Sequence, residues 1–289
     1  METEHIHEFL TLAKTLNYSR AAEACHLSQS ALSRHIQSIE AKLGVALFVR
    51  TKSSVALTKA GEIAVEEFTV IENRHASLLS KLASLADNFE GVLNLGMLYY
   101  GAGSRYGYTL VERFRRKNPQ VKLVLTSGQP HKIAADLAAC KIDAGVTLCS
   151  PFAQEQGIEH IVLGREPLYA IVPNEHPWAL LSAVKPEAFA GATLLLQEEE
   201  PTHAAHVLGL LRSCGVKPHD VVHTPNIDTL MMTLNGSNAV FVGTKLLEAL
   251  GPADLAFVPI AADGFELAFS LAYRTGDENE FLARLIECA

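Results

Sequence analysis

Residues 17–44, NYSRAAEACHLSQSALSRHIQSIEAKLG, hold two short helical patterns joined by a tight turn, and their reading decides the fold. In the second pattern Leu32, Ile36, Ile39 and Leu43 fall at steps of four, three and four, the spacing of one helix face. Ser28 is placed to cap its start and Gly44 to stop its end. In the first pattern Ala21, Ala22 and Cys25 make a small inward face, Ser19 offers a capping oxygen, and His26-Leu27 makes the turn. Upstream, Ile6, Phe9, Leu10, Ala13 and Leu16 recur at helical spacing and predict an amphipathic helix over residues 4–16, ended by Asn17. Two short helices about a tight turn resemble a helix-turn-helix.

What the second of these helices turns outward decides the chemistry. Gln29, Ser30, Ser33, Arg34 and Gln37 lie on that face, with Ser28 at its start, and none is acidic. Glutamine can pair with an adenine edge, serine with several bases, and arginine with guanine or phosphate, which suits the N-terminal half of a helix entering a major groove. Glu40 comes further along, where such a helix leaves the groove. A solvated face that happens to lack acids is the plainer reading of the same residues. Residues 46–50 and 55–58 then read as two short strands around the polar turn 51–54, a β-hairpin wing. Such a wing sets Arg50 and Lys52 against the DNA backbone or minor groove, where positive side chains meet dense negative potential.

The chain has 289 residues, 48% hydrophobic and 19% charged, enough material for two or three compact domains. Twelve prolines and 19 glycines are ordinary usage and exclude a fibrous or disordered chain. No apolar run approaches the ~18 residues that cross a bilayer, so no membrane partner is expected. The opening residues lack the basic start and apolar stretch of a secretory signal, and a cytoplasmic location is the expectation. Cys25, Cys140, Cys149, Cys214 and Cys288 are an odd number without a C-x-x-C pair, which suggests neither a disulfide framework nor a zinc finger. The net charge of −8 hides an asymmetry: residues 1–60 carry seven Lys/Arg against five Asp/Glu, and the remainder 17 against 27. An N-terminal module can therefore bind a polyanion while the rest does something else.

The N-terminal residues resemble a known family, the LysR-type transcriptional regulators. The likeness runs from Phe9 through Asn17-Tyr18-Ser19, Ala21-Ala22, the run Leu27-Ser28-Gln29-Ser30-Ala31-Leu32-Ser33, Ile36, Ile39-Glu40, Leu43-Gly44, Leu47-Phe48 and Arg50 to Leu57-Thr58 and Ala60-Gly61. It implies groove contacts by Gln29, Ser30, Ser33, Arg34 and Gln37 and a wing contact by Arg50. Ser30 stands where proline is frequent in the family, and Ser53-Ser54 hold wing positions that are often basic, so the wing is expected to grip phosphate weakly.

From Phe68 the positions Phe68, Ile71, His75, Leu78, Leu82, Leu85 and Phe89 are separated by steps of three and four in alternation, a heptad seam. Thr58 can cap its start, and about thirty residues to Asn88 span about 45 Å at 1.5 Å per residue. A plain amphipathic helix packed on its own domain is the alternative. The resemblance favours a linker helix that pairs two subunits antiparallel through Phe68, Ile71, Leu78, Leu82 and Leu85. That gives a homodimer, or the tetramer the family favours, on an inverted-repeat operator in double-stranded DNA. The expected organisation is a winged helix-turn-helix over residues 1–58, a dimerisation helix over 59–90 and a further domain over 91–289.

After Gly91 short apolar runs alternate with helical stretches, which argues for α/β structure. Strands are predicted at residues 92–98, 121–125, 144–148, 168–172, 193–196, 221–223, 239–242, 257–260 and 267–273. Crossings near 163–168 and 262–267 divide the domain into one lobe of 91–163 plus 267–289 and another of 164–266. The stretch resembles the two-lobed effector domain of the same family, of the periplasmic-binding-protein type, at Phe114-Arg115, Pro119, Val121, Asp143, Val172-Pro173 and His176-Pro177. Ligands in such folds sit at strand C-termini where helix N-termini present amides. The candidate effector residues are the hydroxyls of Ser104, Ser127 and Thr202, with Gln129 and Asn226, Tyr99 and Tyr100 as aromatic walls, and Gly128, Thr147 and Gln197 beside them. The family expectation is a small organic molecule such as a carboxylate, although Glu198-Glu199-Glu200 beside the cleft leave a cationic or neutral ligand open.

Other signals carry less. Residues 101–107 look briefly like a dinucleotide fingerprint, but Tyr106 stands where its last glycine belongs. His203 and His206, three apart on a predicted helix, find no third metal ligand at standard spacing and read equally as surface polarity. No basic neighbourhood marks a low-pKa cysteine, and no catalytic constellation emerges. No cofactor, metal or enzymatic activity is expected. The sequence thus predicts a DNA-binding transcriptional regulator controlled by a small organic effector; the alternative is a cytoplasmic small-molecule binding protein with a degenerate DNA-binding module.

Overall fold

A computed structural model of the chain describes residues 2–50, 54–99, 102–151, 156–249 and 254–289. The chain forms two compact units, one reaching to Asp87 with the short segment Ala138–Lys141, the other comprising Asn88–Leu137 and Ile142–Ala289. Among the described residues no helix is long and apolar enough to cross a membrane.

In the first unit, α1 (Thr3–Thr15), α2 (Tyr18–Ala24) and α3 (Gln29–Leu43) precede a hairpin of β1 (Phe48–Arg50) and β2 (Val55–Leu57), and α4 (Lys59–Ala86) follows. Phe9, Leu12, Leu32, Ile36, Ile39 and Leu47 are fully buried at its centre, and Phe9 packs against Phe48 and edge-on against Phe68 with ring centroids 5.3 and 5.2 Å away. The inward face of α1 is therefore Ile6, Phe9 and Leu12; Leu16 has left the helix in a left-handed conformation and is exposed. The cap of α2 is Asn17 rather than Ser19: its side chain accepts from the Ser19 and Arg20 amides. Ser28 caps α3 by accepting from the Ala31 amide, and Gly44 ends it at φ +70°. Leu43 is exposed, because in the last turn Glu40 takes the inward role. Its carboxylate accepts from the Leu47 and Phe48 amides and fixes the start of the wing.

Thr58 caps α4, accepting from the Gly61 amide and donating to the Ala46 carbonyl. At 28 residues the helix is about 42 Å long. Its first turns belong to the unit's core, where Ala64 and Phe68 are buried. Phe68 is thus a core residue and not part of a dimer seam. Beyond it Ile71, Leu78, Leu82 and Leu85 are all exposed, as is Leu79. The helix stops at Ala86, so Phe89 falls outside the heptad run and lies under the Lys122 ammonium of the second unit.

The second unit alternates strands and helices: β3 (Gly91–Leu98), α5 (Ala102–Lys117), β4 (Val121–Gly128), α6 (Pro130–Ala138), β5 (Ala144–Cys149), β6 (Ile158–Pro173), β7 (Thr193–Gln197), α7 (Pro201–Ser213), β8 (Asp220–Thr224), α8 (Ile227–Leu234), β9 (Ala239–Thr244), β10 (Leu255–Pro259), β11 (Glu266–Arg274) and α9 (Glu280–Ile286). The strands order as β4-β3-β5-β11-β6-β9-β7-β8, with β10 also on β6. One lobe is the parallel set β4, β3 and β5 closed by antiparallel β11; the other is the parallel set β8, β7 and β9. The 16-residue β6 joins them, pairing with β11 as far as Pro167 and with β9 from Leu168. The lobe change expected at residues 163–168 therefore lies inside one continuous strand. Leu93, Leu95, Phe114 and Val146 fill the first lobe, and Ile171, Leu195, Leu230 and Phe241 the second. A larger cluster with Leu98, Ile133, Leu194, Leu196 and Phe269 draws on both lobes.

Candidate functional site

In the first unit a broad trough opens between the start of α2, the start of α3 and the wing, lined by Asn17, Tyr18, Ser19, Ser28, Gln29, Ser30, Ser33, Arg50 and Val55 among others. Gln29, Ser30, Arg34 and Gln37 are exposed on α3, and Ser33 is half-buried. The Ser28 hydroxyl is committed to its cap and lies 3.1 Å from Ser30 Oγ. Gln29 Oε1 stands 3.5 Å from Ser19 Oγ. Arg50 is held rather than loose. Its guanidinium lies 4.7 Å from the Tyr18 ring centroid, donates to Ser33 Oγ at 3.2 Å and approaches Glu40 at 3.7 Å. The wing cation is therefore clamped to the base of the polar face, with Glu40 offsetting part of its charge. Lys52 lies outside the described residues. Tyr18, whose ring carries Arg50, was not singled out by its spacing, although an aromatic beside the α2 cap is the signal that would have found it.

In the second unit the strand ends enclose a cavity that offers about 80 Å³ to the centres of water molecules, several times the space one water needs. Leu98, Pro130, Leu148, Phe241, Leu247, Leu267 and Phe269 form its apolar wall, and Tyr99, Gln129, Gln197, Thr244, Glu200 and His203 its polar part. Tyr99, Gln129 and Gln197 are thus where the strand-end argument put them. Other expected residues are elsewhere. Thr147 alternates with Leu148 on β5 and points to the opposite face. Ser127 is exposed and Gly128 does not line the space; both end β4, at the edge of the sheet. Asn226 caps α8, its side chain accepting from the Thr229 amide at 2.9 Å. Thr202 is half-buried on α7, one position off the face that meets the cavity. Tyr100 and the Ser104 side chain lie outside the described residues.

Glu200 and His203 carry the site's electrostatics. Glu198 and Glu199 are exposed, but Glu200 turns inward and is 4% exposed, with no hydrogen-bond partner on either carboxylate oxygen. Burial, helped by the neighbouring Glu199 charge, pushes its carboxyl up to about 8. His203 is buried against Phe241. Burial and the nearby His206 push it down to about 4, against a hydrogen bond to the Val242 backbone. His206 is also buried, its Nδ1 paired with Ser150 Oγ at 3.0 Å and its Nε2 with the Glu266 carbonyl at 2.7 Å. The two histidines are interior groups and not surface polarity. Among the described residues, metal-ligating atoms converge in the first unit at His5, Glu8 and His35, within 4.8 Å of one another. There Glu8 Oε2 already holds His35 Nδ1 at 2.7 Å, tying α1 to α3. All five cysteines are free thiols, and burial pushes the Cys149 thiol up.

Comparison with known proteins gives two family matches. Residues 3–62 match the bacterial regulatory helix-turn-helix protein, lysR family, and residues 86–289 match the LysR substrate binding domain. A hydrogen peroxide-inducible genes activator of Pectobacterium carotovorum subsp. carotovorum is 26% identical over 284 residues, covering 96% of this chain and 91% of that protein. The HTH-type transcriptional regulator CatR of Pseudomonas putida is 28% identical over 300 residues, covering 99% and 97%. Among solved structures, CbnR, a LysR family transcriptional regulator, superposes with a TM-score of 0.74 at 23% identity, covering 100% of this chain and 98% of its own. Full-length CbnR complexed with its target DNA gives 0.73 at 24% identity, covering 100% and 98%. At these identities the solved chains bear on the fold.

Proposed function

This chain belongs to the LysR family as a DNA-binding transcriptional regulator with an effector-binding domain, and from that premise we propose which surfaces read DNA, pair subunits and bind the effector. The start of α3 enters the major groove, where Gln29, Ser30, Ser33 and Gln37 meet base edges and Arg34 a guanine or phosphate. Arg50, stacked on Tyr18, meets the backbone beside the groove. The exposed apolar row Ile71, Leu78, Leu82 and Leu85 pairs α4 with a second copy, which sets two half-sites in an inverted repeat. Homodimer and homotetramer both satisfy that row. The module boundaries fall near residues 58 and 87, and a cytoplasmic location, with the DNA, goes with this reading. The cavity around Glu200 and His203 takes the effector. A ligand there shifts the regulator between states by no more than its differential affinity for them.

The observation that carries the reading is the α3 face: exposed hydrogen-bonding side chains without an acid, beside a cation braced in the same trough. CbnR, solved on its target DNA, supports it, and the relatives are regulators rather than enzymes. Peroxide response, which some relatives' names state, gains no support from the half-buried Cys149, whose thiol burial holds protonated. The test is fluorescence-anisotropy titration of the full-length protein against its own upstream DNA and a scrambled duplex at several salt concentrations. Binding at least about 10³-fold tighter to the native fragment, with a steep salt slope, is expected. Equal weak binding to both duplexes would overturn it in favour of a small-molecule binding protein.

A further inference from the structure

Among the described residues that line the effector cavity, three side-chain atoms have no hydrogen-bond partner, and all three are acceptors once Glu200 is ionised. Two are the Glu200 carboxylate oxygens. Glu200 occupies the cap position of α7, where a side chain ordinarily accepts from the first helical amides, yet it makes no cap bond. Glu200 is one of the residues that line the cavity instead. The third is Nδ1 of His203, one turn further along α7. The other ring nitrogen of His203 donates to the Val242 carbonyl, so Nδ1 carries the lone pair. Buried polar atoms are almost always paired, and three unpaired atoms on two residues that line one space call for a donor.

The rest of the wall is mostly apolar, Leu98, Leu148, Phe241 and Phe269 chief among it, with Tyr99, Gln129, Gln197 and Thr244 as neutral polar groups, and no lysine or arginine is among the described residues that line it. We infer that the cavity takes a small organic amine, its apolar body against the leucine and phenylalanine wall and its protonated amino group between Glu200 and His203. An ammonium brings three N–H donors and a positive charge that favours the ionised Glu200, whose two oxygens together with His203 Nδ1 then make three acceptors. A carboxylate ligand brings none and meets no cation, so although Gln129, Gln197 and Thr244 can donate to it, the Glu200 and His203 atoms stay unpaired. A charge-assisted pair of this kind, enclosed by hydrocarbon, is strong when every partner is satisfied. The inference rests on the assignment of this cavity as the effector site and narrows it to a ligand class.

The experiment is isothermal titration calorimetry of the full-length protein with butylamine, benzylamine, 2-phenylethylamine and tryptamine, and with 2-phenylethanol and phenylacetate as uncharged and anionic counterparts. At least one amine is expected to bind tenfold or more tighter than either counterpart. Glu200→Gln should weaken that amine at least tenfold, while Glu199→Gln, on the exposed neighbour, leaves it within about twofold. Preference for phenylacetate, an amine affinity indifferent to Glu200→Gln, or no binding by any amine of the series would overturn the inference. The effector assignment is read separately, in the DNA titration. Phenylacetate binding that shifts DNA affinity would keep the effector site and sink the amine; amine binding that leaves every DNA titration unmoved would do the reverse.

Discussion

Replacing Glu200 by glutamine should change the shape of the stability–pH curve, and the direction follows from the buried carboxyl. In the folded chain Glu200 holds its proton up to about 8, whereas in the unfolded chain it loses it near the ordinary value of about 4.5. The folded state therefore binds more protons between those values, and stability falls as pH rises from about 4.5 to 8. His203 acts in the opposite sense. Its folded value of about 4 lies below the unfolded one, so stability rises from pH 4 to about 6.5 and is level thereafter. Below pH 6.5 the two groups largely offset one another. Between pH 6.5 and 8 only Glu200 operates, and at ~1.4 kcal/mol per pH unit it costs the wild type roughly 2 kcal/mol over that interval. Glutamine keeps the shape and removes the titration. Melting of wild type and Glu200→Gln, followed by circular dichroism from pH 5 to 8.5, should give a variant-minus-wild-type difference that climbs by roughly 5 °C between pH 6.5 and 8, at ~2–4 °C per kcal/mol. Groups common to both proteins cancel in that difference. Parallel curves would refute the claim that Glu200 is buried without a partner.

Arg34→Ala should weaken binding to native and scrambled duplexes alike and reduce the salt slope by about one if the guanidinium meets phosphate, whereas Gln29→Ala should cost about 1–3 kcal/mol of sequence preference; anisotropy titrations unchanged in both variants would remove α3 from the groove. Leu78→Lys with Leu82→Lys places charges in the exposed row of α4 and should halve the mass seen by light scattering; a variant that stays dimeric would contradict the seam. Gly61→Ala should destabilise the first unit by about 2 kcal/mol or more, since the added carbon would come 2.1 Å from the Leu47 carbonyl oxygen, and DNA binding that survives at wild-type melting temperature would show that the backbone there yields.

Periodicity reported faces faithfully and partners poorly. Most of the inward rows of α1 and α3, the hairpin, and part of every strand of the second unit were legible, because a helix or strand that buries one side must write that side at a fixed step; Leu16 and Leu43 proved exposed, and the first ten residues of β6 were not read as strand. What covers the face is not written at that step. Phe68 sits in the same three-four pattern as Leu78 and Leu82, yet it closes on Phe9 within its own chain while they stay exposed. The cap of α2 shows a second limit: Asn17 and Ser19 are both capping types two residues apart, and only the backbone around Asn17 decides between them.

Glu200 shows the third limit and the most instructive one for the site. Three consecutive glutamates are chemically alike, and hydropathy assigns all of them to solvent. Their fates part where β7 hands over to α7: Gln197 ends the strand facing inward, Glu198 and Glu199 turn out, and the chain re-enters at Glu200 to begin the helix at Pro201. A helix begun at Pro201 carries Glu200 and His203 on one side and puts Thr202 off it, since residues three apart share a face and neighbours do not. From the sequence pattern alone, with only His203 and His206 placed on a predicted helix, nothing pairs Glu200 with His203. The phase of α7 therefore decides which chemistry meets the cavity: hydroxyls suited to an anion, or a buried carboxylate and imidazole lone pair suited to a donor. The structure sets the second phase, which is why a site expected on family grounds to favour carboxylates presents acceptors and no cation among its described lining.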